Sequence, residues 1–174
     1  MTDDSRDTAQ KSAADEALGD HRSRDTAQKS AADEALDDHR QCMQVVSSVE
    51  SCLDRHPDRD GQWIAQLCEE LPRLAETLRF HFSAEQEGPL YQTLPVTHPR
   101  FASRLQKLEG EHAKIIEAVE DAVRKAVSLD DPQMYEIREF NAELQLMVAT
   151  IRRHEAEENE IILSAHWDEV GTGD

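Results

Sequence analysis

Cysteine is scarce in this chain: Cys42, Cys52 and Cys68 are the only three in 174 residues. They form neither an even disulfide set nor a CxxC clamp, which points to a reducing compartment. Six glycines and six prolines are too few for the many turns of an all-β fold. No stretch approaches 18 uninterrupted apolar residues, and the opening MTDDSRDTAQ lacks the apolar segment of a leader. The expectation is a cytoplasmic protein with no membrane partner. Basic residues are also few, 19 against 37 acidic ones, and at a net charge of −18 the average field repels phosphate. Nucleic acid is therefore not an expected partner.

What is present is charge and helical periodicity. Charged residues make up 32% and hydrophobic residues 38%, the balance of helices with wide solvated faces, and the length suits one substantial core. Residues 5–22 and 23–40 are a tandem repeat identical at 17 of 18 positions, differing at Gly19 and Asp37. With one Leu per copy it cannot build a core, and two copies are too few for a solenoid.

Beyond the repeat, four stretches carry apolar residues at alternating steps of three and four. The first runs Leu36, His39, Met43, Val46, Leu53, and the second Ile64, Leu67, Leu71, Leu74, Leu78, His81, Glu85. The third runs Phe101, Leu105, Leu108, His112, Ile115, Val119, Val123, and the fourth Ile137, Phe140, Leu144, Met147, Ile151, His154, Glu158, Ile161. Breakers at Pro57 to Gly61, Pro95 to Pro99 and Ser128 to Pro132 mark short connections. The expected fold is all-α, an antiparallel up-down-up-down four-helix bundle over 26–168, preceded by a polar extension, 1–25, and followed by a tail, 169–174. Pro72 predicts a kink in the second helix or a start near it, and that helix is expected to run on through Pro89 to Leu94.

Each seam contains one histidine, and the intervals between them are 42, 31 and 42 residues, as ligands meeting at one level of an antiparallel bundle require. Two of them have glutamate four residues on, His81 with Glu85 and His154 with Glu158, on one helix face one turn apart. Polar groups in a seam are costly unless coordinated or paired. The readings open at this point are a metal site and an unmetallated hydrogen-bond network. Four imidazoles and two carboxylates suit two first-row ions, with the glutamates able to bridge them; iron fits best, manganese and zinc being the alternatives. Cys42, one turn after His39, could approach only from the side.

One histidine in the first helix, HFSAE in the second, EH in the third and HEAEE in the fourth resemble the hemerythrin-like, or HHE cation-binding, family over roughly 26–168. The resemblance implies a non-haem di-iron centre held by His39, His81, Glu85, His112, His154 and Glu158. Oxygen carriers of the family have a second histidine one turn along the third helix and an aspartate five residues after the fourth helix's histidine. Here those positions hold Ile116 and Asn159, so the site resembles the four-histidine, two-glutamate bacterial branch whose members handle nitric oxide, oxygen or peroxide. The implied function is binding or reduction of a small diatomic or peroxide ligand; the alternative is an iron sensor or store.

Other residues are read as outside the centre. His56, His98 and His166 are expected to be solvated, Trp63, Trp167 and Tyr91 to pack near bundle ends, and Glu111 to be a solvated carboxylate or a relay at the entrance. Between the two repeat histidines, His39 runs on into Met43, Val46, Val49 and Leu53 whereas His21 runs into Ser23, Arg24, Asp25 and Thr26. His39 is therefore the expected ligand.

Overall fold

A computed structural model describes residues 39–55, 62–129 and 132–171, with side chains as far as Trp167. All of these fall within one contact unit, Asp38–Asp174. The first repeat copy with His21, the expected helix start near Thr26, His56 and the connection at 57–61 lie outside the described residues.

Every regular element among the described residues is helical. In chain order they are α1 over 39–53, α2 (Gln62–Glu87), α3 (Pro89–Gln92), α4 (Leu94–Thr97), a single 3-10 turn (Pro99–Phe101), α5 (Ala102–Ser128) and α6 (Met134–Gly171). The all-α expectation holds, and the long helices share a core as a helical bundle does. Along α6 the whole fourth seam, Ile137 to Ile161, is buried, because steps of three and four keep those side chains on one stripe. On α1 the buried stripe is broader than the seam and takes in Cys42, Val49 and Cys52. On α5 it ends on Ala122 and Ala126, with Val123 only half-buried.

Two expectations about α2 are corrected. The helix does not begin near Pro72 but at Gln62, with Pro72 inside it on the exposed face, where the carbonyl left without a donor can turn to water. Nor does it run through to Leu94: it stops at Glu87, and Gly88 with Pro89 redirects the chain into α3, α4 and the 3-10 turn. A Cβ at Gly88 would stand 3.0 Å from the carbonyl oxygen of Ala84. Only glycine fits there without a shift.

The apolar core is divided. One cluster contains Val46, Leu71, Leu78, Phe82, Ile115, Val119, Phe140 and Ile151, and a smaller one contains Tyr91, Phe101, Leu105, Leu108, Ile161 and Ala165. On α5 His112 stands between the two, and on α6 His154, Glu155 and Glu158 do. The surface is tied by ion pairs between helices, Lys125 with Glu143 at 2.7 Å, Arg104 with Glu160 at 3.1 Å, and Arg152 with Glu50. Such exposed pairs are worth only ~0.2–1 kcal/mol each, so the buried stripes carry the fold.

Candidate metal centre

Four histidines from four helices meet at the gap between the two apolar clusters, all of them buried: His39 (α1), His81 (α2), His112 (α5) and His154 (α6). Three carboxylates join them. Glu85 places Oε1 3.2 Å from both His39 Nε2 and His81 Nε2, and Oε2 3.8 Å from His112 Nε2. Glu158 Oε1 lies 3.3 Å from His154 Nε2 and 3.5 Å from His112 Nε2. Each carboxylate therefore reaches more than one histidine, as a bridging group must. The third, Glu155, accepts a hydrogen bond from His39 Nδ1 at 2.5 Å and has its other oxygen 3.2 Å from His81 Nε2.

These groups are close without satisfying one another. His81 Nδ1 and Nε2, both Glu85 oxygens, His154 Nε2, Glu155 Oε1 and Glu158 Oε2 are buried without a hydrogen-bond partner among the described residues. Donor atoms around one ion bonded at about 2.0–2.2 Å stand roughly 3 Å apart when adjacent. That spacing is what the contacts show. Taking one atom from each residue, two groups lie within 4.8 Å of each other throughout: His39, His81, Glu155 and Glu158, and His112, His154 and Glu158. Glu158 belongs to both.

The nitrogens that face away from the centre are held from outside. His154 Nδ1 faces Glu111 Oε2 at 3.3 Å, and that carboxylate also accepts from Arg153 at 2.8 Å. His112 Nδ1 faces the Gln86 amide at 3.5 Å. The bond donated from His154 Nδ1 to Glu111 leaves the Nε2 lone pair pointing inward, the tautomer a metal needs. Phe82 lies flat on His112, centroids 4.0 Å apart and 2° from parallel, and edge-on to His154 at 5.4 Å.

The local field favours cations. Burial alone would depress the His81 imidazole, but the Glu155 and Glu85 carboxylates outweigh it and hold it up to about 10. His39 and His154 are likewise raised against burial, by Glu155 and by Glu158 with Glu111 respectively. Burial pushes Glu85 up, helped by the neighbouring Glu158 charge. Glu155 is lowered, because His39 and His81 overcome its burial. Burial and the charges of all three carboxylates push the Cys42 thiol up.

A family model for the hemerythrin HHE cation binding domain matches residues 30–165. The chain belongs to the hemerythrin HHE cation-binding family. No curated protein and no solved structure matches it. The six residues that the hemerythrin resemblance singles out, His39, His81, Glu85, His112, His154 and Glu158, all come together at this one place.

Three further residues of this hemerythrin-like site escaped the sequence reading. Glu155 was visible inside HEAEE but lies off the seam. Glu111, half-buried at the edge of the site, faces His154 Nδ1. Tyr91 packs in the smaller apolar cluster, but its hydroxyl also donates to Glu158 Oε1 and lies 3.3 Å from His112 Nε2. His98 and His166 stay outside the cluster, His166 exposed as expected and His98 half-buried. Trp167, expected to pack, is exposed, while Trp63 is buried against Phe140 and donates to the Cys52 carbonyl at 3.1 Å.

Proposed function

We propose that this protein is a non-haem di-iron hemerythrin-like protein that binds or reduces a small ligand, oxygen, nitric oxide or peroxide. The observation that carries the reading is the set of seven buried site atoms without hydrogen-bond partners among the described residues. At about 1–3 kcal/mol apiece, leaving them so would cost as much as the whole net stability of a domain, ~5–15 kcal/mol. Cations bound among them remove that cost, which counts against a metal-free network.

In this reading His39, His81 and Glu155 would hold one ion and His112 and His154 the other, with Glu85 and Glu158 available to both. Nitrogen and carboxylate donors without thiolate suit iron, with manganese or zinc as substitutes. When bound, the iron pair would supply redox electrons and positions for the small ligand. The chain supplies the surroundings: Phe82, Ile115, Ile151 and Ile161 exclude water, and Glu111 holds His154 in the ligating tautomer. The bundle is read as up-down-up-down over 26–168, with 1–25 an extension and 169–174 a tail. Support for the direction comes from the clusters. α5 passes from the smaller to the larger and α6 from the larger to the smaller.

The test is metal analysis of purified protein, with absorption spectra in air, under peroxide and under nitric oxide. Two irons per chain and a spectrum that responds to one of these ligands are expected. Iron without any response would leave a sensor or store. His154→Ala and Glu158→Ala should each lower bound iron, and unchanged iron in both would overturn the site.

A further inference from the structure

We infer that Tyr91 is itself a metal ligand, its phenolate oxygen completing the position held by His112, His154 and Glu158; this rests on the di-iron reading above. Tyr91 Oη lies 3.3 Å from His112 Nε2 and bonds to Glu158 Oε1, which stands 3.3 Å from His154 Nε2. The two 3.3 Å separations match the ~3 Å expected between neighbouring donors on one ion. The second group of candidate ligands, His112, His154 and Glu158, has one carboxylate where the first has two. Tyr91 stands on the side of the poorer group.

The backbone is built to bring it there. α2 stops two residues after Glu85, Gly88 permits a close turn over its last carbonyls, and Pro89 starts α3, which carries Tyr91 inward. Its ring is buried and edge-on to His112, centroids 5.4 Å apart. Charge adds a reason. Two divalent ions facing the carboxylates of Glu85, Glu155 and Glu158 retain one positive charge in a buried site, and one phenolate removes it. On coordination the Tyr91 O–H bond is replaced by the metal–oxygen bond, and the proton leaves to solvent.

The chain has only two tyrosines, and the other, Tyr135, is exposed at the start of α6. The assignment can therefore be read directly. Protein loaded with ferrous iron and oxidised in air should show a phenolate-to-iron charge-transfer band in the visible. Resonance Raman excitation within that band should enhance tyrosine ring modes. Tyr91→Phe should still bind iron but lose the band, and Tyr135→Phe should keep it. Iron-loaded wild type without tyrosine ring modes, or a band of undiminished strength in Tyr91→Phe, would overturn the proposal. The Raman measurement needs only the wild type, so it decides even if Tyr91→Phe fails to fold. Absence of bound iron in the wild type would overturn the di-iron reading as well, and metal analysis tells the two failures apart.

Discussion

His39 and Glu155 are joined across 116 residues of sequence by a 2.5 Å hydrogen bond from Nδ1 to Oε2, which ties α1 to α6 at the level of the other three histidines. The same carboxylate turns its second oxygen, unpartnered, toward His81 Nε2 at 3.2 Å. Glu155→Gln preserves the shape and the hydrogen bond but removes the charge. Iron per chain, measured by elemental analysis, should fall from two toward one. Retention of both ions would reduce Glu155 to an orienting partner of His39.

Glu111 acts on the opposite side of the centre and through His154 alone. Glu111→Ala frees Nδ1 and should weaken metal affinity by roughly 10–100-fold in a chelator competition, with Glu111→Gln between it and the wild type. Thermal melting of the metal-free protein should hardly change, because the carboxylate is at the surface edge of the site and its loss opens no core cavity. Equal metal affinity in all three proteins would return Glu111 to a plain surface role.

The metal-free chain should be sensitive to alkali. In the folded state His81 is raised from its ordinary 6.5 to about 10, with His39 and His154 raised in the same direction. A raised imidazole favours folding most below its unfolded value, so this contribution is complete below about pH 6.5 and disappears as pH climbs through about 10. Melting temperature of the metal-free protein should fall between those limits. The metal-loaded form should not show that fall, since its histidines carry metal and not protons; acid, by contrast, should release the metal. A metal-free melting temperature that is flat or rising from pH 6.5 to 10 would contradict the arrangement.

The repeat offers a choice between two histidines in near-identical surroundings, ALGDHR at His21 and ALDDHR at His39. His39 is the one found buried among the other candidate ligands. Deleting residues 5–22 should leave iron content and thermal stability nearly unchanged, whereas His39→Ala should lose iron. Loss of iron in the deletion, or loss in His21→Ala with retention in His39→Ala, would show that the first copy supplies the ligand.

The sequence alone was enough for the seams, for one histidine in each, and for the two His-to-Glu pairs that resemble the family, because these features depend only on the helical period. Steps of three and four recur on one face whatever the helix packs against, and a polar residue within such a stripe is conspicuous. Glu155 was hidden for the same reason. A residue one step from His154 lies about 100° around α6, and only the position of α1 makes that face a buried one. Glu111 and Gln86 are likewise ordinary polar residues beside a helix seam until the neighbouring helix places a histidine nitrogen in front of them. Tyr91 shows the limit most clearly. Gly88 and Pro89 announce a break in the chain, but the direction taken after a break is set by tertiary packing, and here that packing turns the phenol into the centre between His112 and Glu158.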